Sequence, residues 1–386
     1  MITQTIALLV DAYRELHAKK LFWITMILTV LVVAVCGTAG INEKGITFAG
    51  FVLFSSLGEF AVTSENIPPS LFYKNMFLGL GVQVWLTWIA IVLALISTAG
   101  IVPDLISSGS IEAILSRPIG RVRLLLTKFA GGLLFTALQV AVFSAGAFLV
   151  IGIRGGDWEW SIFLAIPIVT VMFSYLFAFC TLLGIITRST IAALLLTGLA
   201  WGALIIYNRT EETIVAFNAT AEVRLERAAA SLERAERAAR LVLLNEENER
   251  REAEGLEPLE SLDLTAEQLD ERSPILPSRR LDLEEATQAE REWQFWTDLL
   301  RYVKAPLPKT SETTALLGRV LIDPEETARV RQPEPTNDDI AVQQEASEAA
   351  EAEYESRSLG WILGTSLAFE AFILAIACWI FKRRDF

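Results

Sequence analysis

The side chains in this sequence that could do acid-base, nucleophilic or metal chemistry are dispersed, and their spacing suits none of it. His17 is the only histidine, and no Ser/His/Asp or Cys/His set accompanies it. Cys36, Cys180 and Cys378 each fall inside a long apolar run. There they read as small packing residues rather than as a disulfide framework or a zinc site. Val35 fills the position before Cys36 that a lipidation signal keeps small, so no lipid anchor is expected, and no A-x-A-like cleavage site follows the first run. There is no G-x-x-x-x-G-K-[ST] phosphate loop, so ATP binding by that chemistry is not expected. The sequence predicts no enzyme, no metal and no cofactor.

One ionisable group is distinctive. Glu370 lies nine residues into the last apolar run, about 14 Å along a helix at a rise of about 1.5 Å per residue. That depth is near a bilayer's midplane, where a carboxyl is costly and must face a bundle interior or a wet cavity. Polar groups at spanning depth elsewhere are Gln83, Thr87, Gln139, Thr170, Ser174 and Tyr175, and none is basic. Glu370, Gln139 and Gln83 are therefore the candidate intramembrane polar residues, either gluing helices together or lining a substrate path. An intramembrane enzyme built on Glu370 is a remote alternative.

The elements that would position these groups are apolar runs of about 20 residues, the length needed to cross about 30 Å of hydrocarbon. Six occur: Leu21–Ile41, Phe77–Ile101, Leu124–Ile153, Ile162–Ile186, Ile191–Tyr207 and Trp361–Phe381. The fifth is the shortest, separated from the fourth by the linker TRST. Phe48–Leu57 is too short to span and is expected to lie in the outer interface or dip partway in. The fold class is thus an all-α polytopic membrane protein of six transmembrane helices, with a large helical, coiled-coil-like extracytoplasmic insert between helices 5 and 6. Its segments are an amphipathic interface helix (1–20), helices 1–5 (21–207, with a cytosolic loop at 102–123), the acidic insert (208–357), and helix 6 with a basic tail (358–386).

Orientation follows the distribution of Lys and Arg beside the spans. One alternating set of flanks holds Arg14, Lys19, Lys20, Arg117, Arg121, Arg123, Lys128, Arg188, Lys382, Arg383 and Arg384, whereas the opposite short loops hold Lys44, Lys74 and Arg154. Both termini are therefore expected in the cytosol of a plasma (inner) membrane, and the insert outside it. Trp158, Trp160, Tyr207 and Trp361 fall at the outer aromatic belt, Trp23 and Trp379 at the inner one. Residues 208–357 carry 35 Asp and Glu against 19 Lys and Arg, a net of −16, while the rest of the chain is +3. The overall acidity belongs to the insert, and no nucleic-acid partner is expected.

Ile2, Ile6, Leu9, Tyr13 and Leu16 recur at helical spacing, as in an amphipathic helix on the inner leaflet. Between the second and third runs, Ile111, Ile114 and Leu115 fall on one side of a short helix and Glu112 on another, ended by Arg117-Pro118. That loop reads either as a solvated positive-inside loop or as a handle for a cytosolic machine.

The run GSIEAILSRPIGRVRLLLTKF, entering a Gly-containing span, resembles the corresponding loop of ABC-2 type permeases, the membrane subunits of ATP-binding-cassette transporters. The resemblance extends over roughly 230 residues: an amphipathic N-terminal helix, six spans, the main external loop between the fifth and sixth, and the tail FKRRDF. It implies a coupling helix docking on an ATPase through Ile111, Glu112, Ile114, Leu115, Arg117 and Arg121. The chain departs from the family in carrying ISSGS where members often have charged residues before the loop's Gly. It also lacks an LSGGQ-type ATPase signature, so the resemblance implies a separate cytosolic ABC ATPase and a second permease, either another copy or a relative. The implied function is a permease subunit, export being the common direction in that family. The alternative is a non-transporting scaffold or signalling protein whose external stalk binds an envelope partner.

In the insert, Leu225, Ala228, Leu232, Ala235, Ala239 and Val242 step by three and four, as in a coiled-coil seam. A helix with Ala346, Ala349, Ala350 and Tyr354 is expected to return antiparallel to it. Thr265 and Gln268 form a capping-box pattern. Ala286, Ala289, Trp293, Trp296, Leu300 and Val303 make an aromatic-rich face, read as a small cap's own core or a docking surface. The stretches Glu257–Arg280 and Pro306–Asp339 read as loops.

Overall fold

The computed structural model describes Arg14, His17 and residues 20–55, 63–64, 66–107, 120–322 and 337–384. The chain divides into two compact units. One comprises residues 1–206, 304–333 and 357–386, the other 207–303 and 334–356.

Among the described residues of the first unit, six helices are long and apolar enough to cross a membrane: α1 (Lys20–Thr38), α2 (Pro69–Ile106), α3 (Arg121–Gly155), α4 (Trp160–Thr187), α5 (Thr190–Ala253, continuing into the second unit) and α10 (Leu359–Arg383). The fifth apolar run, which looked shortest, thus opens the longest helix, of 64 residues. The tight TRST link is made by Arg188, which ends α4 in the left-handed conformation at φ 54° with its amide bonded to the Gly184 carbonyl. Within α2, Phe77–Ala90 is wound as a wider π-helix, and the Thr87 hydroxyl donates to the Val82 carbonyl five residues back.

Side-chain contacts set the helix directions. Phe22 packs on Phe135 and Val33 crowds Gly146, so α1 and α3 run parallel. Phe77 meets Phe143 while Arg154 donates to the Tyr73 hydroxyl, so α2 opposes α3. Phe129 stacks on Phe177 and Phe148 meets Phe163 at a tilt, so α4 opposes α3. Gly184 lies beside Ala193, folding α5 back along α4. Ser174 bonds Glu370 and Arg384 bonds the Ile185 carbonyl, so α10 runs with α4. One end of the unit therefore gathers Lys20, Arg121, Arg188 and Arg384, and the opposite end Thr38, Pro69, Arg154, Trp160 and Ser358.

Residues 39–55 depart from the all-helical expectation. They form a three-stranded antiparallel meander, β1 (Ala39–Asn42), β2 (Gly45–Phe48) and β3 (Phe51–Ser55), with Phe48, Phe51 and Val52 exposed. Phe48 pairs with Phe51 across Ala49 and Gly50, whose φ values of 49° and 89° suit a two-residue hairpin turn of the primed type.

The segment expected as a loop from Pro306 to Asp339 contains a helix, α8 (Thr310–Leu321). It belongs to the first unit, packing on α4, on the π-helical part of α2 and on α10. Leu317 and Leu321 join the main apolar core, and Thr310, Glu312 and Thr313 are also buried. Pro306 and Pro308 before it and Pro324, Pro333 and Pro335 after it give the segment the composition of a loop, and that hid the helix.

The second unit holds α5 from Tyr207 onward, α6 (Ala266–Arg272), α7 (Leu276–Lys304, up to Val303) and α9 (Asp338–Ser356). The expected loop Glu257–Arg280 thus includes α6 and the start of α7, and the Thr265/Gln268 capping box is formed. Leu232, Ala235, Ala239 and Leu243 pack with Leu264, Leu269, Leu276 and Leu283. Leu243 takes the seam position expected for Val242, which is exposed, because the residues that pack advance at helical rather than strict heptad spacing. Val215 and Ala219 pack with Ala346 and Ala350, and Arg227 pairs with Asp338 and Glu345, which sets α9 antiparallel to α5 as expected. Phe217 stacks on Trp293 and Arg280 bridges Glu236 and Asp270, running α7 antiparallel to α5 as well.

Gly132 allows the closest approach of α3 and α4: a Cβ there would lie 2.3 Å from the Phe177 ring. That ring is stacked against Phe129 and Phe173 and has no room to yield. Gly132→Ala is therefore expected to destabilise the first unit by about 1–3 kcal/mol, read as a lowered melting temperature in detergent. An unchanged melt would contradict this packing.

Candidate functional site

Glu370, on α10, is 9% exposed. Its Oε2 lies 2.7 Å from the Ser174 hydroxyl of α4, which is also 2.7 Å from the Val171 carbonyl. A hydroxyl has one proton and Val171 offers only an acceptor. Both contacts are satisfied when Ser174 donates to Val171 and the Glu370 carboxyl, as the neutral acid, donates to Ser174. One α10 turn earlier, the Ser366 hydroxyl accepts from the Lys309 amide at 2.9 Å and donates to the Ile362 carbonyl. Tyr175, buried next to Ser174, turns its hydroxyl toward Thr313 and Ser366 with Glu370 nearby, yet completes no hydrogen bond there. Glu370, Ser174, Tyr175, Ser366 and Thr313 thus form a buried polar seam contributed by α4, α10 and α8.

A second polar cluster, not anticipated from the sequence, closes the end of this seam. Glu312 of α8 is 4% exposed; its Oε1 receives both Lys304 and Arg357, the latter at 2.9 Å. Arg319 donates to the Arg357 carbonyl. Lys309, with no exposed surface, donates to the Ala305 carbonyl and lies 4.6 Å from the Trp361 ring centroid, with Arg357 also over that ring. A carboxylate flanked by two cations this deep is retained only where its charge is neutralised locally. Charged residues are so frequent in 208–357 that nothing in the sequence sets these five apart; the Pro306/Pro308 break is the one usable signal.

At the same end, Lys74 is buried between Asp157 and Glu159, at 3.3 and 3.0 Å. Burial works to raise the Glu159 carboxyl, but hydrogen bonds from Ser161 and Lys74 hold it below its ordinary value.

The opposite, basic end is tied together by guanidinium groups on helix C-termini. Arg121, at the start of α3, donates to the carbonyls of Arg384 at 2.6 Å and Lys382 at 3.5 Å. Arg384 in turn donates to the Ile185 and Ile186 carbonyls at the end of α4. These carbonyls have no intrahelical donor and carry the negative end of the helix dipole, so cations there are favourable.

The remaining expected site residues are scattered. Ile111, Glu112, Ile114, Leu115 and Arg117 lie outside the described residues, as does most of the expected N-terminal helix. Gln139 is buried on α3, but neither amide atom finds a hydrogen bond, and it is not joined to the Glu370 seam. Gln83 is exposed on the π-helical part of α2. Among the described residues no group of three or more His, Cys, Asp or Glu could hold a metal ion.

A family model described as "Protein of unknown function (DUF2705)" matches residues 45–210, less than half of the 386 residues. No curated protein and no solved structure matches the chain.

The proton assignment at Glu370 is open to test by thermal melts of the purified chain. Glu370→Gln retains a donor for Ser174 and should melt within about 0.5 kcal/mol of the parent. Ser174→Ala strands the buried carboxyl and should cost about 1–3 kcal/mol. Equal melts for Ser174→Ala and the parent would refute the pairing.

Proposed function

We propose that this chain is the permease subunit of an ABC-2 type transporter, a half-channel whose work is driven by a separate cytosolic ATPase. The observation that carries the reading is the segregation of charge along six apolar helices of alternating direction. Arg121, Arg188 and Arg384 gather at one end, and the acidic insert leaves from the other. On this reading the basic end faces the cytosol, with both termini on the inner side of a plasma (inner) membrane and the insert outside.

The loop resembling a coupling helix then joins α2 to α3 at the cytosolic face. An ATPase pressing on it acts directly on α3, and through Arg121 and Arg384 on the ends of α10 and α4, the two helices that share the Glu370–Ser174 contact. The polar seam is the natural place for a path to open, and a second permease, identical or related, supplies the other wall. Export is the direction the family resemblance favours.

A second reading has its own support. Phe295, Trp296 and Tyr302 are exposed on α7, and α8 fills the end of the seam. Both features suit a non-transporting core that anchors a stalk for an envelope partner.

Copurification from membranes holding the cognate ATPase separates the two. Arg117→Glu should release the ATPase with the helix bundle intact, whereas Arg121→Glu should also free the tail and lower the melting temperature. In the assembled complex Glu370→Gln should change turnover without changing assembly. An ATPase that never copurifies, or that is retained equally by Arg117→Glu, would reject the coupling assignment.

A further inference from the structure

We propose that α8 is a removable stopper in the mouth of the bundle and that Glu312 is its latch. The helix starts where the Lys309 amide donates to the Ser366 hydroxyl of the polar seam at 2.9 Å, buries Thr313 and inserts Leu317 and Leu321 into the main core. Its three buried leucines, counting Leu316, make a small apolar footprint for a helix of 12 residues. The ionic contact to Glu312 therefore decides whether the helix stays seated.

The position of the two cations gives the latch its meaning. Lys304 is the residue at which the chain passes back from the second unit, immediately after Val303, and Arg357 is where it returns after Ser356. Both polypeptide crossings are thus fastened to one oxygen of the carboxylate on the stopper. Tension carried along α7 or α9 reaches Glu312 through Lys304 or Arg357. Withdrawing one cation removes one of the two donors to Glu312, and withdrawing both leaves a buried carboxylate uncompensated, a state that favours its escape to water together with α8. The insert thereby gains a mechanical hold on access to the Tyr175–Glu370 seam. The inference rests on the membrane-embedded reading of the bundle and requires neither an ATPase nor a cargo.

The test uses the full-length chain in lipid nanodiscs, where both faces are accessible, with Cys36, Cys180 and Cys378 replaced by Ala and single cysteines introduced at Thr313 or, as a core control, at Ser144. A charged, water-soluble maleimide should label Thr313→Cys slowly in the parent. Adding Glu312→Gln should raise that rate on the order of tenfold or more, with Ser144→Cys still protected. Replacing the whole triad by apolar groups (Lys304→Met, Glu312→Leu, Arg357→Met) should reseat the helix and return labelling to the slow rate. The proposal fails if Glu312→Gln leaves Thr313→Cys protected, or if it exposes Ser144→Cys equally, since the triad would then hold the whole bundle. It fails also if the apolar triad labels as fast as Glu312→Gln. Because no ATPase is present, these outcomes are independent of whether the chain is a permease.

Discussion

Away from water a polar group has only the protein to satisfy it, and the arrangement of the first unit follows from that constraint. Its apolar helices bury their backbone bonds internally, leaving the helix ends and a few side chains to be satisfied. At the basic end Arg121 and Arg384 take up terminal carbonyls of α10 and α4. At the other end Lys74 and Glu312 are each neutralised by opposite charge brought from a different segment. In the middle the Glu370 carboxyl is hydrogen-bonded to the Ser174 hydroxyl. These contacts join segments far apart in sequence, so they also fix which helices are neighbours.

Much of this was readable from composition and periodicity. Six apolar runs of spanning length give the six long helices, because helix length against hydrocarbon thickness leaves little latitude. The antiparallel return of α9 and the Thr265 cap were visible for the same reason: each rests on a local repeat or a local hydrogen bond. Glu370 stood out as a carboxyl among apolar residues, and it sits inside the bundle as that cost demands.

What escaped the sequence depends on contacts distant along the chain. The α8 helix is short and bracketed by Pro306, Pro308 and Pro324, so the surrounding composition reads as loop although Leu316, Leu317 and Leu321 are buried on it. Glu312, Lys304 and Arg357 look like any other charges of an acidic insert until α8 carries them inward. The β1–β3 meander was obscured by its apolar content, which reads equally well as interfacial; its turn residues Ala49 and Gly50 were the overlooked signal. Gln139 is buried on α3, but which groups surround it is a property of packing.

The functional account reduces to a sidedness: a basic end gripped from the cytosol and an acidic insert held outside. Brief protease treatment of intact cells carrying a cytosolic-side epitope after Phe386 measures it directly. The account predicts cleavage within 208–303 with the epitope preserved. An insert left whole while the epitope is digested would contradict it.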